Sequence, residues 1–224
     1  MKWFNGYFPI LVFLFAPVAS LAQEKEPPYW NDIKEFKKSD SLHFPAPNQI
    51  LFVGSSSFRL WNDLQNSFPG YPIINRGFGG SSLKDVNYYY RDIIVPYRAK
   101  QIVIYCGDND FAQNETLPVD SVVRRFEMLV GKIRADDKNV KITYVSIKPS
   151  PSRKELAPKF IEANGRISQF LKGQKNTSFV DVYHKMLDKK GAPLKAIFKQ
   201  DSLHMNAQGY AIWRKAIRPQ LLKR

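Results

Sequence analysis

The sequence predicts an α/β protein built on a parallel, doubly wound sheet. Three observations carry this. Five short, β-branched, nearly all-apolar runs recur, at residues 49–53, 72–75, 101–106, 141–147 and 178–182. Runs apolar on both faces suit strands covered on both sides. Helical periodicity fills the gaps: within 119–135, Val122, Val123, Phe126, Leu129, Val130 and Ile133 fall at three- and four-residue steps, and 160–171 and 207–222 follow suit. Alternation of this kind argues for strands joined by crossover helices. Finally, the unusual polar residues stand directly after the apolar runs, where such sheets bind their ligands.

At the N-terminus, Lys2 precedes a mostly apolar run over residues 8–18, and Ser20, Leu21 and Ala22 put small residues near its end. This reads as a secretory signal over residues 1–22, cleaved near Ala22–Gln23. A membrane span needs about 20 apolar residues, and Pro9 and Pro17 bracket a shorter run. No stable membrane insertion is therefore expected once the signal is removed. No cysteine near the cleavage point supports a lipid anchor. The expected location is periplasmic or secreted.

Residues 23–47 hold Pro27, Pro28, Pro45 and Pro47 with many charges, a lead-in with a short helix over 30–36. A single domain over 48–224 follows, without internal repeats. Apolar content of 44% and aromatic content of 14% are ample for one core. Cys106 is the sole cysteine. It excludes an intrachain disulfide and, inside an apolar strand, reads as a small buried residue. Net charge is +14, from 34 Lys and Arg against 20 Asp and Glu. The cations are dispersed, with no basic block, zinc spacing or nucleic-acid motif. They read as a solvated surface suited to acidic polymers or anionic envelopes, and nucleic acid is not an expected partner.

Gly54-Ser55-Ser56-Ser57 follows the first strand and Asn75-Arg76-Gly77-Phe78-Gly79-Gly80-Ser81 the second. Gly107-Asp108-Asn109-Asp110 follows the third, and Asp201-Ser202-Leu203-His204 lies near the C-terminus. Together they offer a hydroxyl nucleophile, backbone and amide donors, and an imidazole with a carboxylate, the inventory for acyl transfer. A serine hydroxyl needs a base within hydrogen-bond reach. Histidine can take and return its proton. A carboxylate fixes the ring tautomer, and a developing oxyanion needs preorganised donors. Each cluster also has a conformational reading. Gly-Ser runs make turns, Phe78-Gly79-Gly80 can be a purely conformational bend, and Asn109 can hold its own turn. The glycines miss the G-x-G-x-x-G spacing of a dinucleotide site. Spacing alone leaves two histidines open, since Asp181 and His184 repeat the three-residue interval of Asp201 and His204. His43 lies in the lead-in.

The stretches "FVGSSSFRLW", "NRGFGGSS", "YCGDND" and "DSLHMNAQGYAIW", in that order across residues 50–213, resemble the blocks of the SGNH (GDSL-type) hydrolases. The similarity extends to the platelet-activating-factor acetylhydrolase catalytic subunits. The resemblance implies a three-layer α/β/α sandwich, flavodoxin-like, with a five-stranded parallel sheet and no metal or organic cofactor. It implies Ser56 as nucleophile and His204 as base with Asp201 as its carboxylate. The oxyanion hole would be made by the N–H groups of Ser56 and Gly80 and by Asn109. The family usually has Asp where this chain has Ser55, a departure outside the catalytic positions.

The expected activity is that of an exported serine esterase on short acyl, chiefly acetyl, esters, with a carbohydrate O-acetyl group as the favoured substrate. A lysophospholipase or thioesterase would need an apolar channel, which Phe58, Trp61, Phe78 and Tyr88 to Tyr90 can line or, equally, leave for the core. A catalytically silent glycan- or envelope-binding protein is the alternative from another class.

Overall fold

The computed structural model describes residues 1–2 and 26–223; the expected signal over 1–22 lies almost wholly outside them. In chain order the elements are α1 Trp30–Leu42, β1 Ile50–Gly54, α2 Ser56–Arg59, α3 Leu64–Ser67, β2 Ile73–Gly77, α4 Leu83–Tyr88 and α5 Tyr90–Ile93. These are followed by β3 Gln101–Tyr105, α6 Asp108–Gln113, α7 Val119–Asp136, β4 Lys141–Val145, α8 Ala157–Lys172, β5 Thr177–Val180 and α9 Ala207–Ile217. The sheet is five-stranded in the order β2-β1-β3-β4-β5, and every pairing is parallel. The fold class expected from the sequence is the one observed.

Alternation along the strands builds two cores. Leu51 and Val53 of β1, with Ile102 and Ile104 of β3, face the layer of α1, α4, α7 and α8. Ile50 and Phe52, with Val103 and Tyr105, face α2, α3 and α9. Successive strand side chains point to opposite faces, so an all-apolar run is what a sheet covered on both faces requires. Phe58, Trp61 and Phe78 are buried in these cores, as are Tyr89 and Tyr90, while Tyr88 stands exposed.

Strand ends differ from the sequence reading by one or two residues, and β1 runs on into Gly54. At Gly54 φ is +138°, and a Cβ would fall 1.8 Å from the Tyr105 carbonyl oxygen of β3. Only glycine lets the two chains close there. The 207–222 periodicity ends as α-helix at Ile217 and tightens into a 3₁₀ turn, Arg218–Gln220. Pro219 has no N–H to continue the ladder. The five short helices α2 to α6 escaped the periodicity reading; each is too brief for an apolar stripe. Ser82 caps α4 in a reciprocal box with Asp85, which replaces length as the source of its stability.

Helix α1 reaches Leu42 rather than stopping near residue 36. It is tied to the sheet through Ile33, fully buried, and through Asp40, which pairs with Arg76 and accepts from the Tyr97 hydroxyl. Among the described residues no helix is long and apolar enough to cross a membrane.

Candidate active site

β1 is an interior strand, pairing with β2 at the edge on one side and with β3 on the other. The chain leaves β1 for one edge and crosses back over it to β3. That reversal opens a crevice at the carboxyl ends of the strands. The turns after β1, β2 and β3 all end there, with the turn before α9. A cavity of about 330 Å³ is lined by Ser56, Gly80, Asn109, Arg153 and His204, among others.

The three serines after β1 separate cleanly. Ser55 is buried, its N–H bonded to the Tyr105 carbonyl, and its hydroxyl has no partner among the described residues. Ser57 is buried, and its carbonyl accepts from the Tyr210 hydroxyl. Ser56 alone lines the cavity. As the first residue of α2 it also has a backbone N–H with no intrahelical acceptor.

His204 Nε2 lies 3.1 Å from Ser56 Oγ, and His204 Nδ1 lies 2.6 Å from Asp201 Oδ2. A ring N–H at Nδ1 held by the carboxylate leaves Nε2 as acceptor for the hydroxyl proton. The turn is locally built. Ser202 sits at φ +55°, and Asp201 Oδ1 accepts from the N–H groups of both Leu203 and His204 at 2.9 Å. Burial pushes the Asp201 carboxyl up, but those two N–H groups and the His204 ring outweigh it and hold it at about 2. The depressed value means that the stabilisation is complete above the ordinary carboxylate range. It is lost only as pH falls toward 2, so the group stays ionised through the neutral range. Asn206 caps α9, accepting from the N–H groups of Gln208 and Gly209. The helix start therefore fixes where His204 ends up.

Gly80 adopts φ +77°. Its carbonyl accepts from the Tyr29 hydroxyl at 3.0 Å and from Gln113 Nε2 at 2.9 Å. Asn109 Nδ2 donates to the Ser81 carbonyl at 2.9 Å, which leaves its second N–H uncommitted to that bond. All five residues expected from the sequence therefore converge: Ser56, Gly80, Asn109, Asp201 and His204.

The competing dyad exists as well. His184 Nδ1 lies 2.7 Å from Asp181 Oδ2, and the His184 N–H reaches Asp181 Oδ1. It is the same three-residue geometry on a different face, with the His184 side chain 72% exposed. Its surroundings are a separate cavity beside α8 and β5.

Sequence reasoning missed Arg153. It comes from the 3₁₀ turn Pro151–Leu156 after β4, and donates to Asp108 Oδ2 at 2.8 Å and to Asn109 Oδ1 at 2.9 Å. The rule that polar residues after a strand are informative reaches it once applied to the fourth strand. Lys148, fully buried behind it, bonds the Ser150 hydroxyl. Burial draws its ammonium down to about 8 against the pull of Asp108. Cys106 is buried and its thiol is pushed well up by burial, which suits packing and not nucleophilic chemistry. Among the described residues, no group of three or more His, Cys, Asp or Glu is placed to hold a metal ion.

This arrangement can move a proton from a hydroxyl to a ring in a cavity that Gly80 and Asn109 also line. Known proteins agree at the level of fold and family. The chain is similar to a Streptococcus pneumonia protein described as a platelet activating factor, with TM-score 0.75 and 22% identity over 86% of this chain and 92% of that one. It is similar to a GDSL-like lipase from Bacteroides thetaiotaomicron, with TM-score 0.72 and 21% identity over 84% and 95%. A catalytic mutant of an acetylxylan esterase from Geobacillus stearothermophilus gives TM-score 0.61 and 15% identity over 79% and 94%. No curated protein matches by sequence. The model of the GDSL-like lipase/acylhydrolase family matches residues 51–212, well over half of the sequence. The chain belongs to the GDSL-like lipase/acylhydrolase family.

Proposed function

We propose that the protein is an exported serine esterase that removes short acyl groups, chiefly acetyl, from carbohydrate. The observation that carries the reading is the unbroken line Asp201–His204–Ser56, with contacts of 2.6 and 3.1 Å. Ser56 Oγ attacks the ester carbonyl while His204 Nε2 takes its proton. The oxyanion is received by the N–H groups of Ser56 and Gly80 and by Asn109 Nδ2. His204 returns the proton to the leaving alcohol, then activates the water that releases the acid. Asp201, held ionised, keeps the ring in the productive tautomer.

The lining of the cavity supports a small acyl group. Beside the catalytic positions its lining is Arg59, Leu60, Gly79, Arg153 and Leu203; of the aromatics that would have made a long channel, all but Tyr88 are spent in the core, and Tyr88 is not in this lining. The acetylxylan esterase neighbour points the same way, and Arg59 and Arg153 in the lining offer donors to the hydroxyls of a sugar. A panel of p-nitrophenyl esters of rising chain length tests this. We expect kcat/KM to be highest for acetate and to fall at least tenfold by octanoate. The reverse order overturns the short-acyl reading in favour of a lysophospholipase or thioesterase. Inactivity of the folded protein on every acyl ester overturns the enzyme reading in favour of a binding protein.

Export rests on the leader-like pattern over residues 1–22. Mature protein from the periplasm or medium is expected to begin at Gln23. Full-length protein retained in the cytoplasm overturns it.

A further inference from the structure

An asparagine amide serves an oxyanion only in one of its two orientations. Rotated by half a turn, Asn109 would present Oδ1 to the developing negative charge. Its two present contacts, Nδ2 to the Ser81 carbonyl and Oδ1 from Arg153 Nη2, are both satisfied in one orientation and both repulsive in the other. Arg153 is itself fixed. Its Nη1 bonds Asp108 Oδ2 at 2.8 Å, on the residue preceding Asn109, and its side chain is only 15% exposed. The neighbouring Ser152 donates through both its N–H and its hydroxyl to the Ser202 carbonyl, inside the Asp201–His204 turn. One 3₁₀ turn thus braces the amide on one side and the histidine turn on the other.

We propose that Arg153 is a positioning residue for the reaction. It locks Asn109 with its nitrogen toward the oxyanion and sets a fixed positive charge one hydrogen bond behind that donor. The charge polarises the amide, so the donated hydrogen bond strengthens as the oxyanion forms. The inference rests on Asn109 being an oxyanion donor. A bidentate fork is needed, because Asp108 and Asn109 are bonded by different nitrogens of one guanidinium, and a lysine ammonium cannot reproduce that planar geometry. Loss of Arg153 does not strand a lone buried carboxylate, since Lys148 Nζ stands 3.8 Å from Asp108 Oδ2.

The test is steady-state kinetics with p-nitrophenyl acetate on Arg153→Met, Arg153→Lys, Asn109→Ala and the Arg153→Met/Asn109→Ala double variant, with thermal melts alongside. We expect Arg153→Met to lower kcat by about 10- to 100-fold with KM within about twofold. Arg153→Lys should recover only part of the loss. The double variant should be no slower than Asn109→Ala, because both changes remove the same donor. Wild-type kcat in folded Arg153→Met while Asn109→Ala is slow overturns the inference alone. Multiplied losses in the double variant, or a change in KM alone, do so too. Full kcat in Asn109→Ala overturns the oxyanion assignment and the inference with it. If Arg153→Met does not fold, Arg153→Lys, which keeps a cation beside Asp108, carries the same comparison with Asn109→Ala.

Discussion

Replacing Ser56 with alanine is expected to lower kcat for p-nitrophenyl acetate by about 10⁴-fold or more, while the unfolding free energy changes by no more than about 0.5 kcal/mol. The asymmetry has a structural cause. Ser56 lines an open cavity, and its hydroxyl contact is with a histidine ring, so truncation creates no void in either core. Its neighbours provide the control. Ser55→Ala removes a buried hydroxyl that has no partner among the described residues and should leave turnover within about threefold. It should not destabilise, since burying an unpaired hydroxyl is itself costly. Ser57→Ala leaves intact the backbone carbonyl that Tyr210 bonds. Activity that survives in Ser56→Ala but vanishes in either neighbour would sink the assignment.

His204→Ala should match the loss in Ser56→Ala, and the double variant should be no worse than either single one, because nucleophile and base act as one unit. His184→Ala should keep activity within about twofold. The contrast is sharp because the two histidines share local chemistry. Each has a carboxylate three residues earlier, at 2.6 Å for His204 and 2.7 Å for His184. Only His204 also has a serine hydroxyl at its other nitrogen. Rate measurements on the two variants decide the matter, and a reversed pattern assigns the base to His184.

These residues show how far the sequence reads on its own. Short apolar runs reported the strands, since a strand buried on both faces must be apolar on both. The long helices α7 and α8 were legible through their periodicity. The short ones were not, because α4 holds itself by a cap box and α6 by polar contacts, neither of which repeats along the chain. The lead-in read as a Pro-rich segment with a short helix over 30–36. In the structure α1 packs Ile33 into the core, and Tyr29, at its start, bonds the Gly80 carbonyl. Such contacts cross about fifty residues and leave no local trace.

The candidate site divides along the same line. A turn in which Asp201 gathers two backbone N–H groups and a ring is a local object, so its residues could be named from spacing. Spacing named the Asp181–His184 turn equally well. The resemblance to known hydrolases chose between them, and chose Ser56 among three serines, but it carried no physical reason. Tertiary structure supplies one. Ser56 and His204 are 148 positions apart in the chain, and they meet because α9 packs against α2 on one face of the sheet, Trp213 on Phe58, which brings the turn before α9 to the end of β1. The sequence by itself determined the strands and the long helices, through their apolar patterns, and the local dyads, set by interactions within a few residues. Which hydroxyl faces which ring, and that Arg153 braces Asn109, was decided only by the parallel sheet. Its crossovers bring distant turns to one edge, and no local interaction can encode that.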